Sequence, residues 1–194
     1  LNFAADMKDA DIPLTPLGKA TLQERIANNG KDHPGVSCLP SGIPEKLSIP
    51  DGLKIVQTED LTLMLHESRT IYRQIFTDGR PHYDEGIEFY MGDSRGRWEG
   101  NTLVVDVTNF KPETWLDGAG NFHSNKLHVV ERYTRTAPAT LRYEATIEDP
   151  MTFSRPWKIS MPLYRRLDKN MQLLEFKCQE FVEELLYGQY RKKP

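Results

Sequence analysis

The feature that most constrains the fold is a series of short apolar segments, separated by turn residues, that runs along the chain from residue 54 onward. The clearest of them lies at 140–148, where Leu141, Tyr143 and Ile147 alternate with polar residues. Such alternation places apolar side chains on one face of a strand and polar side chains on the other. It is typical of a half-buried antiparallel strand.

Eight strands are predicted from this pattern, at 54–58, 61–67, 70–77, 101–110, 126–134, 140–148, 157–165 and 173–178. No long helical segment separates them. They therefore favour a mostly β fold, an antiparallel up-and-down barrel of lipocalin (calycin) type, because closure into a barrel removes exposed strand edges. A two-sheet β-sandwich is the alternative architecture.

One helix is predicted on each side of the strands. Thr15 suits the N-cap, Pro16 the first turn and Gly30 the end of a helix over about 16–29. A short C-terminal helix is predicted after the last strand. The 194 residues are expected to form one domain with three parts, namely an N-terminal arm at 1–53, a barrel at 54–178 and the helix at 179–188.

The charge pattern and the hydropathy pattern exclude two classes of interaction. The net charge is −3, and charges of both signs are interspersed, so no basic stripe offers itself to nucleic acid. A run of about 18 apolar residues, the length of a membrane-spanning helix, does not occur. Neither nucleic-acid binding nor a membrane span is therefore expected.

The two cysteines allow two interpretations. Cys38 lies in the arm and Cys178 in the last predicted strand, so a disulfide would tie the arm to the end of the barrel. Such a bond favours an oxidising compartment. The alternative is a pair of buried free thiols, since free cysteine is commonly buried.

A polar loop between the fourth and fifth predicted strands is the first candidate site. Asp117 could orient His123, which could then transfer protons near neutral pH. Trp115 could form an apolar wall for a ring-bearing or sugar-like ligand. The structural alternative is that Asp117 and Gly118 make a turn, Trp115 covers the core and the histidines bond to the backbone.

A metal site is a minor alternative at the same loop. His123, His128 and Asp117 could supply ligands to zinc or copper, but their spacing matches no recognised motif, and no cofactor is predicted. Glu131 lies three residues after His128 and would point to the opposite face of a strand. The other histidines stand alone and are predicted to be surface or packing residues: His33, His66 and His82.

Arg73 is the second candidate, because it alternates with isoleucines on one face of its predicted strand. Inside a barrel its guanidinium needs an acidic partner, for which Glu131 and Asp106 are candidates, or an anionic ligand such as a carboxylate. The alternative is an exterior face on which Arg73 is solvated.

Several segments resemble a family of uncharacterised exported proteins abundant in acidobacteria and other soil and aquatic bacteria. The longest are 72–80 (YRQIFTDGR), 96–105 (GRWEGNTLVV) and 114–132 (TWLDGAGNFHSNKLHVVER), and the resemblance extends to 29–32, 38–40 and 176–178. Members begin with a signal peptide and a short segment containing Gly-Val-Trp, which this chain lacks, so the resemblance implies a processed or truncated form. It also implies export to the periplasm or cell exterior, and with it the disulfide, but no activity.

We therefore expect an exported barrel that binds a small organic molecule, anionic or derived from a sugar or an aromatic compound. The expected catalytic residues, for lyase, isomerase or hydrolase chemistry, are His123, Asp117 and Arg73, and the expected ligand-binding residues are Trp115, Glu131, His128 and Tyr72. The alternative is an assembly subunit that docks through its arm and forms homo-oligomers.

Overall fold

Eight strands form a single sheet in the computed structural model, which describes residues 12–179. In chain order the strands are β1 (Leu53–Gln57), β2 (Leu61–His66), β3 (Tyr72–Phe76), β4 (Asp93–Glu99), β5 (Thr102–Thr108), β6 (His128–Ala137), β7 (Thr140–Glu148) and β8 (Trp157–Tyr164). Each strand pairs with its neighbours in the sequence, and the sheet curls into a half-barrel. The prediction of a mostly β fold is confirmed.

The sheet is mixed, which corrects the purely antiparallel prediction. All neighbouring strands are antiparallel except β3 and β4, which run parallel and meet at Phe76 and Arg95. Parallel neighbours need a connection of about a dozen residues or more, because the chain must return to the end at which the first strand began. Residues 77–92 supply that connection.

Strand β4 was missed by the sequence analysis because its inner face carries no apolar alternation. Ser94 is buried there, and Gly96 leaves room for Ile75, whose Cγ2 would lie 2.8 Å from an added Cβ. The large apolar residue of this strand, Trp98, is 53% exposed. A strand built in this way has none of the period-two hydrophobicity that marks β7.

The structure shows neither the closed barrel nor the two-sheet sandwich that was predicted. A single sheet excludes the sandwich, and β1 and β8 do not pair with one another, so the described residues form a half-barrel and not a closed one. The strand predicted at 173–178 is not formed. That segment instead runs past β2, where the backbone N–H of Leu174 donates to Glu67 Oε2 at 3.0 Å.

The predicted disulfide is confirmed. Cys38 and Cys178 are bonded, 140 residues apart in the chain, and no cysteine of residues 12–179 is free. Because no strand forms at 173–178, the bond fastens an extended C-terminal segment to the arm and does not join the arm to the sheet. The helix predicted at 179–188 lies, except for residue 179, outside the described residues.

The arm packs on the end of the sheet near β8. Helix α1 (Pro16–Ala27) begins where predicted, with the Thr15 hydroxyl accepting from the backbone N–H of Gly18 at 3.2 Å. The backbone N–H of Thr15 donates to the carbonyl of Thr152 at 2.8 Å. The remaining helical elements are short: α2 (Glu45–Ser48) and 3₁₀ turns at Pro34–Ser37 and Ser68–Thr70.

The hydrophobic core lies on the inner, concave face of the sheet. It takes side chains from most strands, from the loop before α2 and from the long connection between β5 and β6, and includes Ile43, Met64, Ile75, Leu103, Val105, Val107, Phe110, Leu116, Val129, Tyr143, Ile147 and Trp157. Apolar burial of this extent is the main force that holds the elements together.

Candidate functional site

A buried ion pair joins β3 to β6 inside the half-barrel. Arg73 and Glu131 are 3% and 0% exposed, and the guanidinium meets the carboxylate at two points, Nη1 to Oε1 at 3.2 Å and Nη2 to Oε2 at 2.5 Å. The prediction of an interior Arg73 with Glu131 as partner is confirmed, and the solvated alternative is excluded. Burial opposes the charge on Arg73, but the carboxylate of Glu131 outweighs it, and the pKa of Arg73 is raised.

Three hydroxyl groups complete this network. Tyr133 and Tyr143 each donate to Glu131 Oε1 at 2.9 Å, and the Ser94 hydroxyl accepts from Arg73 Nε at 3.0 Å. Burial and the nearby carboxylate raise the pKa of both tyrosines well above the ordinary value, so their hydroxyls stay protonated and continue to donate. Besides one another, the two buried charges are therefore satisfied by three hydroxyl groups, and the network holds the strands in fixed positions.

A cleft of about 190 Å³ lies beside this network on the concave face, and Tyr133 belongs to both. Its lining is mainly apolar and includes a few polar side chains. The lining residues are Ile55, Gln57, Thr62, Met64, Trp98, Asn101, Leu103, Tyr133, Arg135 and Leu141. None of the predicted catalytic or ligand-binding residues is among them.

This cleft could not be predicted from sequence patterns alone. Alternation along β2 and β6 places Met64 and Tyr133 on inner faces, but which side chains of β1, β4 and β7 stand opposite them depends on the register of the sheet. Trp98 is a large aromatic residue between polar residues, and this is the signal in the sequence that could have indicated a role for it.

Trp115 is a packing residue in the structure. It is 3% exposed, and the Arg25 guanidinium of α1 lies 4.3 Å from the centroid of its ring. The ring of His33 meets it edge-on at 4.8 Å. The indole is a buried packing residue, as in the structural alternative, but it fastens the arm to the β5–β6 connection and is not a member of the core cluster.

Asp117 organises a turn. Its Oδ1 accepts from the backbone N–H groups of Ala119 and Asn121 at 3.0 and 3.1 Å, and its Oδ2 accepts from the side-chain amide of Asn121 at 2.6 Å. An aspartate that caps its own loop in this way is a common turn device. Asp117 is fully buried.

His123 is buried with both ring nitrogens engaged. Nδ1 donates to the carbonyl of Ser124 at 3.0 Å, and Nε2 lies 2.7 Å from the Thr114 hydroxyl, which donates to the carbonyl of Lys111 at 2.9 Å. Burial lowers the pKa of the imidazole, which favours the neutral ring. The ring is held by Thr114 and Ser124, so the expected orientation by Asp117 is not what positions it, and the catalytic role assigned to these residues stays a prediction.

The other two predicted ligand-binding residues lie on the outer face. Tyr72 is 63% exposed, and His128 is partly exposed, with its Nε2 at 3.0 Å from Asp106 Oδ2. Glu131 points inward from the same strand as His128, as their odd spacing predicted. The predicted site residues therefore fall into three separate places: the inner network, the β5–β6 connection and the outer face.

Two histidines predicted to stand alone have carboxylate partners: His33 Nε2 lies 2.7 Å from Glu45 Oε1, and His82 contacts two aspartates. The Nδ1 of His82 lies 2.9 Å from Asp93 Oδ2 and its Nε2 lies 2.9 Å from Asp106 Oδ1. The prediction that His82 stands alone is wrong, because the connection between β3 and β4 folds back on the outer face of β4 and β5. No spacing in the sequence signals contacts between residues this far apart.

Comparison with protein-family models, with curated proteins and with solved structures found no match to this chain. The site must therefore be interpreted from its own geometry. Among residues 12–179, no three His, Cys, Asp or Glu side chains are arranged so that they could hold a metal ion.

The helices of residues 12–179 are all too short or too polar to cross a membrane.

Proposed function

We propose that this chain is an exported protein that binds a small organic carboxylate, with a planar or aromatic body, in the cleft beside Tyr133. The observation that carries the proposal is the cleft itself, which combines apolar walls, an exposed indole and one guanidinium. Drug-sized ligands occupy pockets of about 300–1,000 Å³. A cleft of about 190 Å³ favours a smaller molecule.

Two lining residues support the choice of ligand class. Trp98 leaves about half of its surface exposed, so its ring is available to stack on a planar ligand. The Arg135 guanidinium donates one hydrogen bond, to the carbonyl of Pro138 at 3.1 Å, and pairs with no carboxylate in the described part of the chain. A guanidinium with spare donors in the lining of a mainly apolar cleft suits a carboxylate.

The buried network supports binding by keeping the cleft in shape. Tyr133 lines the cleft, and its hydroxyl is fixed by Glu131, which is in turn fixed by Arg73. A cleft that is already formed spends less free energy on ordering side chains when a ligand enters. Because no carboxylate or imidazole is found among the residues that line the cleft, we propose binding there and not acid–base catalysis.

The disulfide supports the proposed export, since such bonds persist in oxidising compartments. The alternative of an assembly subunit has less support. The described part of the arm lies on its own chain, with Leu14 bridged to Phe153 and Arg25 seated over Trp115. These contacts hold the described part of the arm against its own chain.

Benzoate is a suitable probe, and its uncharged analogue benzamide is the matched control ligand. Benzoate is expected to shift the indole N–H resonance of Trp98 in a ¹H–¹⁵N NMR titration and to bind more tightly than benzamide. Arg135→Gln should weaken benzoate binding about tenfold or more, as for the loss of a charge-assisted hydrogen bond. Arg142→Gln, which removes an exposed arginine outside the cleft, should leave the affinity unchanged.

The proposal fails if benzoate leaves the Trp98 indole resonance unmoved at millimolar concentration. It also fails if Arg135→Gln and Arg142→Gln bind benzoate as well as the unchanged chain does. Equal affinity for benzamide and benzoate would refute the assignment of a carboxylate ligand.

A further inference from the structure

We infer that His82 is a proton-dependent clamp, which holds the first half of the β3–β4 connection (residues 77–92) on the outer face of the sheet while its imidazole is protonated. The cluster of His82, Asp93 and Asp106 includes none of the residues that line the cleft, and the inference is independent of the function proposed there. It joins the connection to β4 through Asp93 and to β5 through Asp106.

The geometry sets the proton requirement. Both ring nitrogens of His82 face carboxylate oxygens, Nδ1 toward Asp93 Oδ2 and Nε2 toward Asp106 Oδ1, each at 2.9 Å. Ionised carboxylates only accept hydrogen bonds, and a neutral imidazole carries a single N–H. Both bonds therefore form together only when the ring is an imidazolium. After the proton leaves, one nitrogen lone pair faces a carboxylate oxygen, and that contact becomes repulsive.

Two further basic side chains contact these carboxylates. On β4, Arg95 Nη1 donates to Asp93 Oδ1 at 2.6 Å, and on β6, His128 Nε2 lies 3.0 Å from Asp106 Oδ2. The hydrogen bond from His128 lowers the pKa of Asp106, and the bond to Asp106 raises the pKa of His128, toward which Glu148 of β7 also contributes. Asp106, whose pKa is lowered, therefore remains an acceptor only as the pH rises from mildly acidic values.

From the carbonyl of Tyr83 onward, the connection is fastened by groups that do not titrate in this range, and before His82 the Arg95 Nε donates to the carbonyl of Pro81 at 2.8 Å. The side-chain amide of Asn109 donates to the carbonyls of Tyr83, Asp84 and Ile87 at 3.0–3.2 Å. The backbone N–H of Phe89 donates to the carbonyl of Asn109 at 2.8 Å. Loss of the proton from His82 should consequently loosen its own side chain and the neighbouring Tyr83 amide, and leave the part after residue 84 in place.

Hydrogen exchange resolved by residue, on the whole disulfide-bonded chain, tests the clamp across pH 5–9. After correction for the intrinsic pH dependence of exchange, protection of the Tyr83 amide, which donates to Asp93 Oδ2 at 3.1 Å, should fall with rising pH. The expected fall is about tenfold to a hundredfold, as for the loss of a hydrogen bond to a charged group. Its midpoint should coincide with the titration of the His82 ring followed by NMR.

Asp106→Asn is the decisive variant. An asparagine amide can donate to Nε2 of a neutral His82, whose Nδ1–H is then kept for Asp93, while its carbonyl still accepts from His128. Protection of the Tyr83 amide should therefore stay high through pH 9 in this variant. His82→Gln should remove the pH step, and His33→Gln, at a histidine paired with a single carboxylate, should retain it.

Two results would overturn the clamp. One is a Tyr83 amide in the unchanged chain whose protection does not follow the titration of His82. The other is an Asp106→Asn variant that keeps the same pH step, since no imidazolium is then required.

Discussion

Glu131→Leu is expected to destabilise the folded chain by about 3–5 kcal/mol, the usual cost of leaving one member of a buried ion pair without its partner. Arg73 would remain 3% exposed with no counter-ion, and Tyr133 and Tyr143 would lose the oxygen to which both donate. Folded domains have a total stability of about 5–15 kcal/mol, so this loss is a large fraction of the whole.

Urea denaturation at pH 7 with the disulfide intact measures the effect. For a slope of about 2 kcal/mol per molar urea, the midpoint should fall by about 2 M while the slope stays constant. Glu131→Gln, which keeps an acceptor for the tyrosines, should cost less. Adding Arg73→Met to Glu131→Leu should recover part of the loss, because the unpaired charge is removed while the tyrosine hydroxyls stay unsatisfied.

Glu99→Gln is the matched control on the outer face. Glu99 pairs with Arg132, the neighbour of Glu131 on β6, in an exposed ion pair at 2.9 Å, and such pairs contribute little. A Glu131→Leu midpoint within experimental error of the Glu99→Gln midpoint would refute the assignment of a buried, essential charge pair.

Two further predictions concern stability. Replacing Cys38 and Cys178 by serine opens a 140-residue loop, which the chain-entropy relation values at about 4–5 kcal/mol; urea midpoints that are equal with and without reductant would contradict this. His66 is buried next to Lys46, and burial, reinforced by that charge, lowers its pKa to about 3. Since unfolded histidine takes up its proton below about pH 6.5, stability should be fully present above that pH and decline as the pH falls toward 3. His66→Leu should reduce the loss of unfolding free energy between pH 6.5 and 4 by about 2–3 kcal/mol, and an unchanged pH profile in that variant would show that the histidine is not the cause.

The part of the candidate site that could be anticipated from the sequence is the buried ion pair, because alternation along one strand and the cost of burying an unpaired charge bear on it. An arginine between isoleucines indicated either an inward face with an acidic partner or a solvated outer face, and Glu131 was one of two candidate acids. The structure selected the inward face and Glu131. The cleft could not be predicted in the same way. It brings together side chains from β1, β2, β4, β5, β6 and β7, and their meeting depends on the register of every pair between them.

The sequence by itself determined the elements with strong local patterns. Alternation over 140–148 specifies a strand, Thr15 and Pro16 specify the start of a helix, and two cysteines allow one disulfide. Local hydrogen bonds and side-chain periodicity involve residues only a few positions apart, so they can be predicted from the sequence.

Only the tertiary structure decided which strands form the edges of the sheet and which side chains meet on its two faces. The parallel pairing of β3 with β4, the open edges of β1 and β8 and the fold-back of His82 onto Asp93 arise from contacts between distant segments. In β4, Ser94 and Gly96 face inward because the space beneath them is taken by Arg73 and Ile75. The residue types on the inner face of β4 therefore depend on side chains of another strand, and the sequence of β4 alone does not show which side chains those are.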